Sequence, residues 1–416
     1  GNKLKYRHQI LTNHMKTKPH KTERIHSLDS LRAIMMLLGL VIHSAITYGV
    51  IEYGSWSIKD ALATHLSNDF IVSFIHAFRM QIFFIVAGFF GAMLFYERQP
   101  LKMVKNRISR IVIPFIVFVL LLWPFIVFSF GFTKLLFEGS NNPLSEALAP
   151  FSNIEILIPG RTFHLWFLYY LAIITFVSVG LGLLFKKLPS ISNHISNSFS
   201  WIIQKPLLRI LIFAGLTAIV YFIMGTSSVA TSTSFILDFN TFIYYFIFYM
   251  VGWVLFKSKH LLGTMMHFDW ISTVLGITLF TVHFFNYDAF NYETHIILKS
   301  IMIWLFAFGI MGLFIRFGSN HSATMRYVSD SSYWVYLIHL PLTAIIPSFI
   351  YDWPLPATVK FLLVLISTGI ICFVSYHFLV RGTFIGNFLN GRKYSRKLSD
   401  IKKAEELSKL KRALDK

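Results

Sequence analysis

Apolar residues in this chain gather into long runs instead of alternating with polar ones. Ten runs stand out, over 29–51, 66–95, 108–132, 160–184, 206–226, 239–256, 268–287, 292–317, 330–350 and 357–380. Most hold about 20 residues, the length an α-helix needs to cross the hydrocarbon core of a bilayer. The run 239–256 is short, and 268–287 is interrupted by polar residues. Barrel strands would alternate apolar and polar positions, and these runs do not. The pattern predicts an all-α integral membrane protein with about ten transmembrane helices. It divides the chain into a basic tail over 1–28, a ten-helix domain over 29–380 and a second basic tail over 381–416. Leu398, Ile401, Leu407, Leu410 and Leu414 stand among lysines in that last tail, a pattern that fits either a surface helix on the inner leaflet or a solvated segment.

Composition agrees. Apolar residues make up 55% of the chain and charged residues 14%, against about a quarter charged in soluble domains. So few charges cannot clothe a water-soluble surface of this size. The net charge of +19 suggests nucleic acid only until its distribution is read. With the first tail in the cytoplasm and the helices alternating, the inner segments 1–28, 96–110, 185–209, 257–267, 316–329 and 381–416 hold 31 of the 38 Lys and Arg. The outer loops hold Lys59, Lys134 and Arg161. This asymmetry predicts both termini in the cytoplasm, with anionic membrane lipid as the partner of the charge and no nucleic acid. The single cysteine, Cys372, excludes an internal disulfide framework and a multi-thiolate metal site. No metal is expected at the scattered histidines.

Ionisable residues inside a membrane are costly and mark candidate chemistry. Arg32 and His43 lie eleven positions apart in the first run, almost three helical turns, so they share one face about 16 Å apart. A snorkelling Arg and a packed His would be the structural reading. His76 and Arg79 are three apart in the second run and can face one cavity. Arg79 stands about four turns from the inner end, where it needs a carboxylate, a carbonyl or a ligand; a structural ion pair is the alternative. Arg107 and Arg110 stand one turn apart, a two-pronged arrangement suited to phosphate, although the positive-inside rule alone also produces such loops. His164 and Trp166 open the fourth run, where an aromatic belt would account for Trp166 and Phe167. Glu293 opens the eighth, as an interfacial acid or as a partner for a cation. His339 precedes Pro341, which breaks a main-chain hydrogen bond and requires protein or water to satisfy the freed carbonyl.

These residues resemble the membrane-bound acyltransferase-3 family. Leu28-Asp29-Ser30-Leu31-Arg32 with His43 is similar to its Arg-x10-His signature, Arg107 and Arg110 to its Arg-x-x-Arg, and Tyr336-Leu337-Ile338-His339-Leu340-Pro341 to its late helix motif. Phe74–Gln81, His164–Leu168 and Tyr292–Thr294 further resemble a group of succinyltransferases of osmoregulated periplasmic glucans. One departure is Ala87 before Gly88, where the family usually has Ser.

The resemblance implies a multi-pass enzyme of the bacterial inner membrane. It implies an acyl-CoA donor, succinyl-CoA before acetyl-CoA, and a periplasmic glucan or other glycan as acceptor, with glucan-synthesis proteins as further partners. His43 would then be the general base, with Arg79, His76 or His339 stabilising the oxyanion. Arg32, Arg107 and Arg110 would hold the donor, and Glu293, His164 and Trp166 the acceptor. An acetyltransferase acting on another envelope glycan, a secondary transporter with a buried His/Arg site and a noncatalytic assembly subunit are the alternatives.

Overall fold

A computed structural model describes residues 25–229, 231–320, 322–397, 399–403 and 406. Most of the first tail, and Leu398, Leu407, Leu410 and Leu414, lie outside the described residues. Those described form fifteen α-helices and no strand. In chain order they are α1 (His26–Ala45), α2 (Leu66–His76), α3 (Arg79–Arg98), α4 (Pro100–Arg107), α5 (Ile113–Phe137), α6 (Pro143–Leu148), α7 (Trp166–Lys187) and α8 (Pro189–Ile203). They continue as α9 (Pro206–Met224), α10 (Phe239–Lys257), α11 (Asp269–Phe285), α12 (Tyr292–Gly318), α13 (Ala323–Phe349), α14 (Ala357–Ser375) and α15 (Phe384–Asn390).

Among the described residues, eight helical segments are long and apolar enough to cross a membrane. A ninth counts if the 3-10 segment Lys259–Met266 and α11, bent by 65°, form one span. The ninth apolar run, 330–350, falls in α13, which has the 27-residue length of a span but carries Ser, Asp, Tyr and His. Those polar groups, including Asp330, Ser331, Ser332 and His339, are buried in protein. Leu120, Leu121 and Phe125 of α5, Leu211 and Ile219 of α9, Val274 and Leu275 of α11 and Ile366 and Ile370 of α14 are exposed, the surface such a bundle turns to lipid.

Contacts between connecting segments define two ends. At the basic end Lys259 pairs with Glu97 at 2.8 Å and Arg316 with Asp269 at 2.8 Å. At the opposite end Thr162 N–H donates to Thr233 O at 2.7 Å, and Lys360 pairs with Asp60 at 2.9 Å. The folded body continues past residue 380. Arg381 is buried, and Tyr394 N–H donates to Arg381 O.

Three local features differ from the sequence reading. The first apolar run continues to 51, but α1 ends at Ala45 and a 3-10 turn, Ile46–Tyr48, follows. Beyond it the Asp69 carboxylate accepts the N–H groups of Val50 (2.6 Å) and Ile51 (3.0 Å), and Lys59 donates to Gly49 O at 2.7 Å. With its main-chain groups held by these side chains, the segment folds back over the bundle end. The second run breaks at Ala77-Phe78, so His76 ends α2 and Arg79 begins α3. Trp166 and Phe167 are 7% and 4% exposed. They pack in the core and form no aromatic belt, because the segment before α7 carries them inward.

Helices α3 and α10 touch backbone to backbone. A Cβ on Gly88 would collide with the Tyr249 carbonyl, and one on Gly252 with that of Ile85. Small residues permit this approach between membrane helices, so position 88 has a packing reason to be Gly.

Candidate active site

Helix α1 brings His43 in its last turn to His339 of α13. His339 Nδ1 faces the carbonyl oxygens of Tyr336 (2.7 Å) and Val335 (3.1 Å). Carbonyls only accept, so Nδ1 carries the proton and a neutral His339 presents a lone pair at Nε2. His43 Nδ1 lies 2.8 Å from that nitrogen and must donate to it. The ring centroids are 5.0 Å apart with planes at 8°, the side-by-side arrangement an in-plane N–H···N bond requires. The chain of tautomers leaves the Nε2 lone pair of a neutral His43 outside the hydrogen bond. His43 is partly exposed, and Trp56 stacks on it at 5.4 Å and 14°.

Pro341 lacks an N–H, so the Leu337 carbonyl four residues earlier loses its helical partner. His164 fills the gap, with Nε2 2.8 Å from Leu337 O. That bond fixes the His164 tautomer too, and its ring stands edge-on to His339 at 5.2 Å and 86°. His164 Nδ1 is buried without a hydrogen-bond partner among the described residues. Tyr336 secures the same corner by donating to His164 O at 2.6 Å.

Arg79 enters from the α2–α3 break. Its Nε donates to Met35 O at 2.8 Å, and its guanidinium rests on Gly39, where a Cβ would meet Nη2 at 2.5 Å. Arg79 forms no ion pair among the described residues. Its electrostatic neighbours include Tyr336 and Tyr245, and it in turn acts on His43, His76, His164 and His339. His76 donates from Nδ1 to Val72 O at 2.9 Å, leaving Nε2 as an acceptor. His76 is exposed although it stands mid-span beside His43 and Arg79, which marks an opening in the bundle. Counted along their helices at 1.5 Å per residue, His43 stands about 26 Å from His26, Arg79 about 28 Å from Arg98 and His339 about 24 Å from Ala323. One layer, nearer the end opposite the basic loops, therefore holds all three.

The wall of this layer includes groups that the sequence did not single out. Gln81 donates to Tyr244 at 3.1 Å, Tyr244 and Tyr221 share a bond at 2.8 Å, and Trp166 packs on Tyr245 at 5.4 Å. Tyr244 and Tyr245 sit in an aromatic-rich stretch of α10 whose composition gives no signal of polarity within a core. Glu293 lies apart, exposed in the first turn of α12, and joins no hydrogen bond or ion pair among the described residues.

At the basic end, Arg32 pairs with Asp29 at 3.3 Å and lies over Phe90 at 5.5 Å. Arg107 is its electrostatic neighbour, beside Tyr249. Arg107 Nε and Nη2 are buried without hydrogen-bond partners among the described residues. The unsatisfied Arg107 donors, with the Arg32 cation beside them, suit an anion such as a phosphate. Arg110 turns elsewhere, donating from Nη1 to Asn387 O at 2.7 Å and Phe388 O at 2.5 Å. It therefore fastens the end of α15, and the structure brings together Arg32 and Arg107, not Arg107 and Arg110.

The multi-helix bundle thus holds imidazoles and, among the described residues, an arginine without an ion pair in its interior, with two further arginines at its basic end. The chain belongs to the acyltransferase family whose domain, described as Acyltransferase domain, matches residues 25–377. It is similar to the glucans biosynthesis protein C of Salmonella paratyphi B, Salmonella gallinarum and Salmonella typhi. Each is 29% identical over 340 residues, covering 79% of this chain and 84% of the relative. No solved structure matches. The protein is a membrane acyltransferase.

Proposed function

We propose that this protein transfers an acyl group, succinyl by preference, from acyl-CoA in the cytoplasm to a hydroxyl of a periplasmic glucan or related glycan. Both termini and the basic loops face the cytoplasm of a bacterial inner membrane. The carrying observation is the His339–His43 hydrogen bond, which leaves an unprotonated nitrogen about 16 Å along α1 from Arg32.

Arg32 and Arg107 hold the donor's phosphates at the basic end, where the buried guanidinium atoms of Arg107 gain acceptors. The extended pantetheine arm then carries the thioester toward His43. His43 Nε2 takes the proton of the acceptor hydroxyl as its oxygen attacks the thioester carbonyl carbon. Arg79, with no ion-pair partner among the described residues, stabilises the oxyanion or receives the free carboxylate of a succinyl group. Collapse breaks the C–S bond, and the thiolate recovers the proton from His43. The products are the glycan ester and free CoA.

The test is transfer of labelled succinyl from succinyl-CoA to a glucan by purified protein. Changing His43→Ala is expected to lower the rate by about 10²–10⁴ while donor binding persists. Activity within about threefold of wild type, on the scale of such losses, would remove His43 from this role. Solute accumulation in sealed vesicles without thioester cleavage would favour a transporter instead.

A further inference from the structure

Resting on the reading of a glycan acceptor, we propose that Trp56, Phe130 and Phe163 form a stacking platform for the sugar ring that presents its hydroxyl to His43. The rings form a continuous series leading away from the base. Trp56 lies on His43, Phe130 meets Trp56 edge-on at 4.9 Å and 74°, and Phe163 stacks on Phe130 at 6.1 Å and 15°. All three are partly exposed. The series belongs to the bundle end opposite the basic loops, the side from which the proposed acceptor comes.

The platform is held rigidly. Trp56 Nε1 donates to Thr47 Oγ1 at 3.0 Å, and its loop is fastened by the buried Asp60–Lys360 pair. Phe163 has φ +46°, a left-handed conformation that a bulky residue rarely adopts. It persists between two fixed neighbours. Thr162 gives both its N–H (2.7 Å) and its hydroxyl (2.9 Å) to Thr233 O, and His164 holds Leu337 O. Strain maintained in this way, one residue from an imidazole of the site, accords with a functional constraint.

The chemistry selects a sugar. A pyranose ring presents an apolar face of slightly positive C–H groups, and an aromatic face is slightly negative. Rigid aromatic side chains give such contact area at little entropic cost. The one polar group on these rings, Trp56 Nε1, is already engaged. The platform therefore recognises the face of a sugar ring more than its linkage.

Calorimetry with a soluble glucose oligosaccharide, in parallel with acceptor kinetics and with thioester hydrolysis lacking acceptor, tests the proposal. Phe130→Leu removes a ring that meets Trp56, and it is expected to weaken oligosaccharide binding and raise acceptor KM by roughly 2- to 12-fold, the scale of one aromatic contact. Trp56→Ala should lose more and Trp56→Phe little. In Phe130→Leu, donor hydrolysis should fall by less than oligosaccharide binding does. Unchanged oligosaccharide binding in folded Phe130→Leu and Trp56→Ala would overturn the platform. So would a loss confined to donor hydrolysis, which would make these rings an acyl pocket. Binding that depends on the rings without any acyl transfer would retain the platform and overturn the reaction.

Discussion

His339 touches no substrate in the proposed reaction, so its effect must pass through His43. In the resting site the His43–His339 bond joins two neutral rings at 2.8 Å, and such bonds contribute about 0.5–1.5 kcal/mol net. When His43 takes the acceptor proton the donor becomes charged, and hydrogen bonds to charged groups contribute about 1.5–3 kcal/mol. The difference of about 1–1.5 kcal/mol stabilises only the transition state, equivalent to roughly 5- to 13-fold in rate. His339→Leu also frees the His43 proton to sit on either nitrogen, which raises the expected fall in kcat to about 10- to 30-fold. His339→Gln supplies an oxygen acceptor and should recover part of the loss. The assay is succinyl transfer by both single variants and by the pair His43→Ala, His339→Leu, with donor affinity measured separately. Residues acting as one unit are not additive, so His339→Leu should cost nothing further once His43 is Ala. Equal losses in the two backgrounds, or wild-type kcat in His339→Leu, would refute the relay.

Arg107→Ala should weaken CoA binding measured by calorimetry, whereas Arg110→Ala should leave affinity intact and lower the melting temperature, because its partners are main-chain carbonyls of α15. Arg79→Gln, assayed with succinyl-CoA and acetyl-CoA on one acceptor, should lose mainly succinyl transfer; equal losses would point to the oxyanion, the acceptor or the scaffold instead. Lys360→Met strands the Asp60 carboxylate, which is fully buried and keeps only the Leu62 N–H. Breaking such a pair costs about 3–5 kcal/mol, so thermal unfolding in detergent and protease resistance of the 49–65 loop should both drop. An unchanged melting temperature would make the pair dispensable.

The helices were legible because burial in lipid demands long apolar runs, and each of the ten runs falls on a helix. The fold-back after α1 was hidden because Ile46, Val50 and Ile51 continue the apolar pattern, while the groups that stop the helix, Asp69 and Lys59, lie elsewhere in the chain. Pro341 announced a freed carbonyl, but nothing local identified His164, about 170 positions away, as its partner. Spacing on one helix placed Arg107 and Arg110 together; the packing of α15 separated them. Trp56 sits in an irregular loop where periodicity has no meaning.

The backbone contact between α3 and α10 acts as a ruler. Tyr245, beside Arg79, and Tyr249, beside Arg107, stand one turn apart on α10. Both are positioned by the Gly88 and Gly252 crossing, where no Cβ fits. A methyl group at either glycine would push the two helices apart and shift both tyrosines together. The surroundings of the two arginines are therefore mechanically joined, and a change in donor preference at one of them has to come from side chains, because a shift of the helix would disturb the other at once.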